Sequence, residues 1–487
     1  MAKDKKVSSH IDAPPVKNNL PPTAEEPAEF GLDRIKSSVF SRGMSMAKLT
    51  LQAGAQLAGQ GLAQALSGKK TSGTEADHKK WDQFLKAQAA NISNELGQLK
   101  GGLMKAGQML SMYGEHFLPP EANQFLKTLQ SDSQPLKWSA IQPFLKKYLS
   151  EDQLNLLDIQ TQALASASMG QVHRATIKST GEQIVLKIQY PDVDKAIDSD
   201  LKAIRSLMNL LKLLPRDVNM DPVFAEVRDM LLQETDYQQE AERTQEFYEK
   251  VQGDARFIVP KVYPEFSNKK VLATSYEHGL RADDTLVQKL SQERRNRLAG
   301  HFLDLYFKEL FLWKLIQTDP HSGNYKIRLS ESGEDQIILL DFGATRSYGD
   351  EFLNSYHGMV KGSLFNDKSL FIKSAQDLKF IREGDDPELV RIFEEFCFET
   401  VEPFIAPEDP RNNHNQIDAD GCYDWKNTDL PMRLKEKVVQ ILRNFEWRTP
   451  PREILFLDRK TGGVFIFLSM LRAKINGRSW ILPYLQK

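Results

Sequence analysis

Apolar residues recur along this chain with two different periods, and the change of period divides it. Between residues 77 and 118 they return at Ile92, Leu96, Leu99, Leu103, Ala106, Leu110, Tyr113 and Phe117, in alternating steps of four and three. That spacing predicts one long amphipathic helix or two close ones, ended by Pro119-Pro120. The opposite face is unusual. Gly101, Lys105, Gln108 and Met112 fall together where a solvent face would carry Glu and Lys. It reads either as a second contact surface with Lys105 seeking an acid, or as an exposed lysine beside a methionine. Residues 121–160 read as helical pieces broken by polar turns at Gln130–Pro135 and Ser150–Asp152.

The period then becomes two. Gln171–Ile177 and Ile184–Ile188 read as strands joined by a Ser-Thr-Gly turn, behind a loop of small residues that includes Ala165, Ser166, Ala167, Ser168 and Gly170. Lys187 shares a strand face with Val185, opposite Ile184, Leu186 and Ile188. Asp221–Lys250 predicts a helix capped by Asp221 with Pro222 at its first position. Its stripe of Phe224, Val227 and Leu231 steps next onto Glu234, a carboxylate at an apolar position. A buried carboxylate needs a cation, and both Lys105 and Lys187 are candidates. Asp236 and Glu240 follow, four apart and so on one face.

Lys270–Gly279 reads as a short strand ending in a turn, and residues 281–316 as helices. Residues 350–487 read as mostly helical, with Gly463–Leu471 a buried segment, Pro407–Asp424 an exposed loop, and Arg459–Gly463 packing within the C-terminal part.

Composition changes this picture mainly at the edges. A chain of 487 residues suffices for two or three domains, or one two-lobed domain with extensions. The net charge of −2 gives no argument for a nucleic-acid partner. Two cysteines, Cys397 and Cys422, without metal-site spacing exclude a disulfide scaffold and fit a reducing compartment. They read as one core and one surface thiol. No run approaches the roughly 18–20 apolar residues of a membrane span. The first residues hold no apolar secretory core and no arginine, which predicts a cytoplasmic protein. Residues 1–30 read as a disordered tail. Residues 31–76 form a Gly/Ala-rich segment with early Arg34, Lys36, Arg42 and Lys48, suited either to an anionic membrane surface or to packing on the protein itself.

The chemistry concentrates in Gln317–Gly343. Asp319 is followed by Asn324, and the apolar run Ile337–Leu340 delivers Asp341-Phe342-Gly343. Phosphoryl transfer of the protein-kinase type uses a loop Asp to orient the attacking hydroxyl. It also uses an Asn five residues on, and the Asp of DFG, to hold the Mg2+ that bridges the ATP phosphates. Gln317-Thr318 stand where His-Arg precede that Asp in ordinary kinases, and no A-P-E follows the DFG. The strand–turn–strand behind a small-residue loop fits the start of a kinase N-lobe, with the loop over the phosphates and Lys187 on their oxygens. Alanine and serine replace most of the usual glycines. In this layout Lys270–Gly279 is the hinge, which makes Thr274 and Tyr276 candidate nucleotide-binding residues.

Lys105-Ala106-Gly107-Gln108 is similar to the KxGQ signature of the UbiB/ABC1 (AarF-like, ADCK) family of atypical kinases, tied to ubiquinone biosynthesis. Ala165–His173 resembles that family's alanine-rich loop, and Val185–Pro191, Glu234–Tyr237, Glu240-Ala241, Gln317–Asn324 and the DFG extend the match over about residues 80–475.

The resemblance implies an α+β, two-lobed protein-kinase-like fold: a helical KxGQ extension at 77–160, an N-lobe at 161–279 and a C-lobe at 280–487. It implies ATP or ADP with Mg2+, ATPase activity, and support of quinone biosynthesis at membranes alongside quinone-biosynthesis enzymes. Ala165–Ser168, Lys187 and Glu240 would hold the nucleotide, Asn324 and Asp341 the metal, and Asp319 the nucleophile. Lys105, Gly107 and Gln108 would cover the cleft, facing Glu234 and Asp236, while Lys187 pairs with Glu240. Ser166 stands where the family prefers alanine and adds a hydroxyl near the nucleotide. Many members carry C-terminal membrane spans; this chain has no such run. Two other readings are a nucleotide-switched scaffold gripping lipid or enzymes, and a small-molecule phosphotransferase sharing D-x4-N, which has no need of an occluding helix.

Overall fold

The computed structural model describes residues 32, 102–117, 120–129, 135–210, 213–214, 219–412, 416–444 and 452–486. The expected tail, nearly all of the basic segment and the first half of the extension helix lie outside these residues. Helix α1 (Gly102–Phe117) buries Leu103, Ala106 and Leu110, as its stripe requires. Helix α2 (Pro120–Thr128) crosses it at Gly107, where a Cβ would lie 2.8 Å from that of Leu129. Pro120 therefore opens a helix as well as closing one, because its missing N–H has no helical partner at that position. After α3 (Trp138–Tyr148), the expected turn at Ser150 is a capping box that starts α4 (Glu151–Asn155).

Strand β1 (Leu157–Ser166) begins inside the stretch read as helical. Ala165 and Ser166 therefore close a strand, and the loop narrows to Ala167–Met169, bridged by the Ala167 N–H to the Gly170 carbonyl at 2.8 Å. Strands β2 (Gly170–Ile177) and β3 (Gln183–Gln189) follow, then α5 (Val193–Leu210), α6 (Asp221–Glu234) and α7 (Tyr237–Lys250). The single helix expected over 221–250 is two. Asp236 accepts from the Gln238 and Gln239 N–H groups and caps α7, while Asp221 is the first residue of α6 rather than its cap. Strand β4 (Phe257–Ile258) precedes β5 (Val271–Ser275), which completes an antiparallel sheet of order β1-β2-β3-β5. Ile184, Leu186, Ile188, Val271 and Ala273 point from its outer face into one apolar cluster with α1–α6. Lys187 therefore lies on the inner face.

Helices α8 (Thr285–Gln288) and α9 (Gln292–Phe307) lead into a π-helical turn at Lys308–Trp313. Lys314, left-handed at φ 56°, ends it, so residues 315–317 form strand β6 (Leu315–Gln317) instead of continuing the expected helix. Strand β7 (Tyr325–Arg328) pairs with β8 (Gln336–Leu339), which pairs with β4, and β6 pairs with β9 (Thr345–Ser347). The remainder is α10 (Asp350–Phe365), α11 (Lys368–Asp377), α12 (Pro387–Thr400), β10 (Tyr423–Asp424), α13 (Leu430–Asn444), α14 (Arg452–Met470), β11 (Lys474–Ile475) and α15 (Gly477–Leu485). The 407–424 segment is less exposed than expected: Ile417 and Tyr423 are buried, and Tyr423 pairs with Ile475. Cys397 is buried and Cys422 partly so. Among the described residues no helix is long and apolar enough to cross a membrane.

Helix α14 runs directly beneath the Asp319 loop, and a Cβ on Gly463 would overlap the Pro320 ring. Gly463→Ala should destabilise the protein by about 1–3 kcal/mol through overpacking. An unchanged urea midpoint would refute this contact.

Candidate functional site

Three elements converge on Lys187. The register of the sheet sets it opposite Val172 on β2 and Leu272 on β5. Its Nζ lies 2.6 and 2.9 Å from the two carboxylate oxygens of Glu240 on α7, and 3.1 Å from Asp341 Oδ2. Burial works against its charge, but Asp341 and Glu240 outweigh burial and hold the ammonium well above its usual pKa. Gly343 makes the convergence possible. Its N–H donates to Asp341 Oδ1 at 3.0 Å, and a Cβ there would come within 3.2 Å of Glu240 Oε2. Glu240 is 4% exposed and Asp341 33%, so one carboxylate is locked while the other faces the cleft.

A second cluster surrounds Asp319. Lys105 on α1 places Nζ 2.8 Å from Glu234 Oε1 and 3.6 Å from Asp319 Oδ2. Arg459 on α14 reaches Asp319 Oδ1 at 2.5 Å. Burial alone would raise the Asp319 carboxyl; Lys105 and Arg459 overcome it and pull the pKa down to about 2. Glu234, the carboxylate at an apolar stripe position, thus meets Lys105 rather than Lys187. Ser168 Oγ also donates to Glu234 Oε1, at 3.4 Å, so the small-residue loop touches this cluster. Asp236 does not join it, being spent on the cap of α7. Gln108 is half-buried on α1, and Gly107 serves the crossing with α2.

The loop bearing Asp319 is held from below. Gln317 Nε2 and Asn324 Nδ2 donate to the Asp319 carbonyl at 2.7 and 2.9 Å. Tyr325 Oη donates to Gln317 Oε1 at 2.7 Å. Glu309 Oε2, delivered by the π-helical turn, accepts the Gln317 N–H at 3.1 Å and pairs with Lys460 at 2.8 Å. Thr318 Oγ1 donates to the Ala344 carbonyl at 2.6 Å, tying the loop to the DFG segment. Gln317 and Thr318, standing where ordinary kinases have His-Arg, thus anchor the loop through neutral groups.

The sequence marks Arg459 and Lys460 only as packing residues, and Glu309 not at all. Lys460 had a signal. It lies three residues after Leu457 and four before Val464, on a stripe that continues through Phe467 and Leu471, and is itself fully buried.

The residues present fit Mg2+ and a nucleotide. Asn324 and Asp341 offer hard oxygen donors, the kind that would hold Mg2+ alongside ligands from a nucleotide and water. Ala165 and Ser166 are exposed at the end of β1, and Ala167 and Ser168 half-buried in the turn. The Ser166 hydroxyl pairs with Tyr190 Oη at 3.0 Å, so it is engaged by the N-lobe. Thr274 lies on the inner face of β5 opposite Val185, and the Tyr276 ring stacks 3.8 Å from the Arg174 guanidinium.

Lys460→Met strands Glu309 as an uncompensated buried charge. It should cost about 3–5 kcal/mol, and adding Glu309→Gln should restore much of that loss. Chemical denaturation of the single and double variants measures both; equal stability of the two would disprove the pairing.

Residues 128–375 match the ABC1 atypical kinase-like domain. The chain is 29% identical over 392 residues to "Atypical kinase coq-8, mitochondrial" of Caenorhabditis elegans, covering 80% of this chain and 50% of that protein. It is 30% identical over 423 residues to "Atypical kinase COQ8B, mitochondrial" of Rattus norvegicus, covering 86% and 76%. It is 29% identical over 252 residues to "Probable protein kinase UbiB" of Vibrio vulnificus, covering 51% and 46%. The chain thus spans about half to three-quarters of the length of these relatives. A solved structure of Rv3197 in complex with erythromycin, from Mycobacterium tuberculosis, superposes with a TM-score of 0.54 at 22% identity, covering 84% of this chain and 98% of that one. That likeness agrees with the two-lobed α+β fold. With the domain match over half of its length, the chain belongs to the UbiB/ABC1 family of atypical kinase-like proteins.

Proposed function

We propose that this protein is an ATP-binding, Mg2+-dependent atypical kinase or ATPase with restricted access to its cleft, acting in isoprenoid-quinone (ubiquinone) or lipid-related metabolism. The observation that carries the reading is the meeting of Lys187, Glu240 and Asp341 above a loop that presents Asp319 and Asn324. Lys187, oriented by Glu240, holds the α- and β-phosphate oxygens. Asn324 and Asp341 hold Mg2+, which when bound neutralises charge on the phosphates. Asp319 orients the nucleophile, a water or an acceptor hydroxyl. Ala165–Ser168 cover the phosphates, and Thr274 and Tyr276 line the base-binding end. Lys105 restrains the site by tying α1 to Glu234 and Asp319.

One feature favours a second reading, a nucleotide-switched scaffold that grips an anionic membrane surface or quinone-biosynthesis enzymes. Both Asp319 oxygens face cations, Oδ1 Arg459 and Oδ2 Lys105, so an acceptor hydroxyl competes with them for the remaining lone pairs of the carboxylate. Turnover is slow while α1 stays docked.

Mg-ATP turnover, measured with and without anionic liposomes and a quinone-like phenol, separates the two. Under the enzymatic reading Asp341→Asn abolishes turnover, and its full retention would sink the assignment. Lys105→Ala should raise turnover by about 5- to 150-fold, the range of an ordinary coupling energy. Absent turnover together with nucleotide-dependent liposome binding favours the scaffold.

A further inference from the structure

The inner face of the four-stranded sheet has a second cationic end, remote from Lys187. Val172, Lys187 and Leu272 form one cross-strand row; the next row toward the hinge holds Arg174, Val185 and Thr274. Rows two residues apart along a strand are separated by about 7 Å. That is comparable to the reach from a nucleotide's inner phosphate to its base. With phosphates at Lys187, a base therefore falls beside Arg174.

Arg174 is held there by stacking on Tyr276, and its buried Nε has no hydrogen-bond partner. The opposite wall is β7, where Lys326 follows the metal-ligand candidate Asn324 by two residues. Lys326 packs against the hinge at Gly279, where an added Cβ would meet the Lys326 Cβ at 2.9 Å. Among the described residues neither Arg174 nor Lys326 has an acidic partner. Glu277, the acid of this segment, is taken by Arg328 at 2.6 Å and by the Ser275 hydroxyl at 2.7 Å. Cationic donors left unpaired in a half-buried cleft are stabilised by acceptors that a ligand brings.

We propose that Arg174 and Lys326 read the nucleobase, and that they admit 6-oxopurine nucleotides at least as well as adenine nucleotides. A 6-oxopurine presents O6 and N7 together, the acceptor pair that Arg and Lys side chains favour, whereas adenine sets an amino group at the same edge. The inference rests on the nucleotide-binding reading above and names the specificity of that same cleft.

The test is calorimetric titration of the full chain with Mg-ADP, Mg-GDP and Mg-IDP. Binding needs no turnover, and IDP keeps O6 and N7 without the 2-amino group. The unmodified chain should bind IDP no more weakly than ADP. Arg174→Ala and Lys326→Ala should each lower the IDP-to-ADP affinity ratio by about 5- to 100-fold, the discrimination of one good contact of this kind. A purely structural role would weaken all three nucleotides together and leave the ratio unmoved, which overturns the proposal. ADP preferred tenfold or more by the unmodified chain overturns it too. If none of the three nucleotides binds, the reading under Proposed function falls first. Lys326 lies on edge strand β7, so Lys326→Ala carries the test if Arg174→Ala fails to fold.

Discussion

The buried ammonium of Lys105 is the constraint on which the arrangement depends. Taking such a charge out of water costs several kcal/mol, and only well-placed opposite charges offset it. Those charges come from two places. Glu234 belongs to the helical side of the N-lobe, and Asp319 to the Gln317–Asn324 loop of the C-lobe. Helix α1 is thereby tied to both lobes at once, through the same desolvated ion.

The Asp319 loop shows the same logic at its base. Ordinary kinases steady this loop with a neighbouring His-Arg pair; here the stabilising groups are drawn from far along the chain. Gln317 and Tyr325 form the upper part of the support, and the buried Glu309–Lys460 pair forms its floor. Arg459 and Lys460 are adjacent on α14, one facing the Asp319 carboxylate and the other its scaffold. A C-terminal helix that the sequence suggested was packing material thus completes the site. Gly463 permits it by letting the helix pass under Pro320.

The sequence made the chemistry legible wherever polar identity broke a period. Glu234 stood on an apolar stripe and Lys105 on an odd face, and each is the other's partner. Lys187 was readable from strand alternation, since its outer-face neighbours are all fully buried. Local boundaries were harder. Strand β1 was hidden because it pairs on one side only and leaves Gln160, Thr161 and Gln162 exposed, which erases the period of two. The break between α6 and α7 was hidden because Asp236 fits equally well as a helical i,i+4 partner or as a cap. Arg459 was illegible in principle. An arginine in the middle of a long helix is ordinary, and only the path of the chain brings it to Asp319.

That break has a mechanical meaning. Glu234 ends one helix and Glu240 lies in the first turns of the next, so a single corner at Thr235–Asp236 separates the acid that holds Lys105 from the acid that holds Lys187. Lys187 and the helix that carries Lys105 are thus held by acids on either side of one joint, with no relay of intervening side chains.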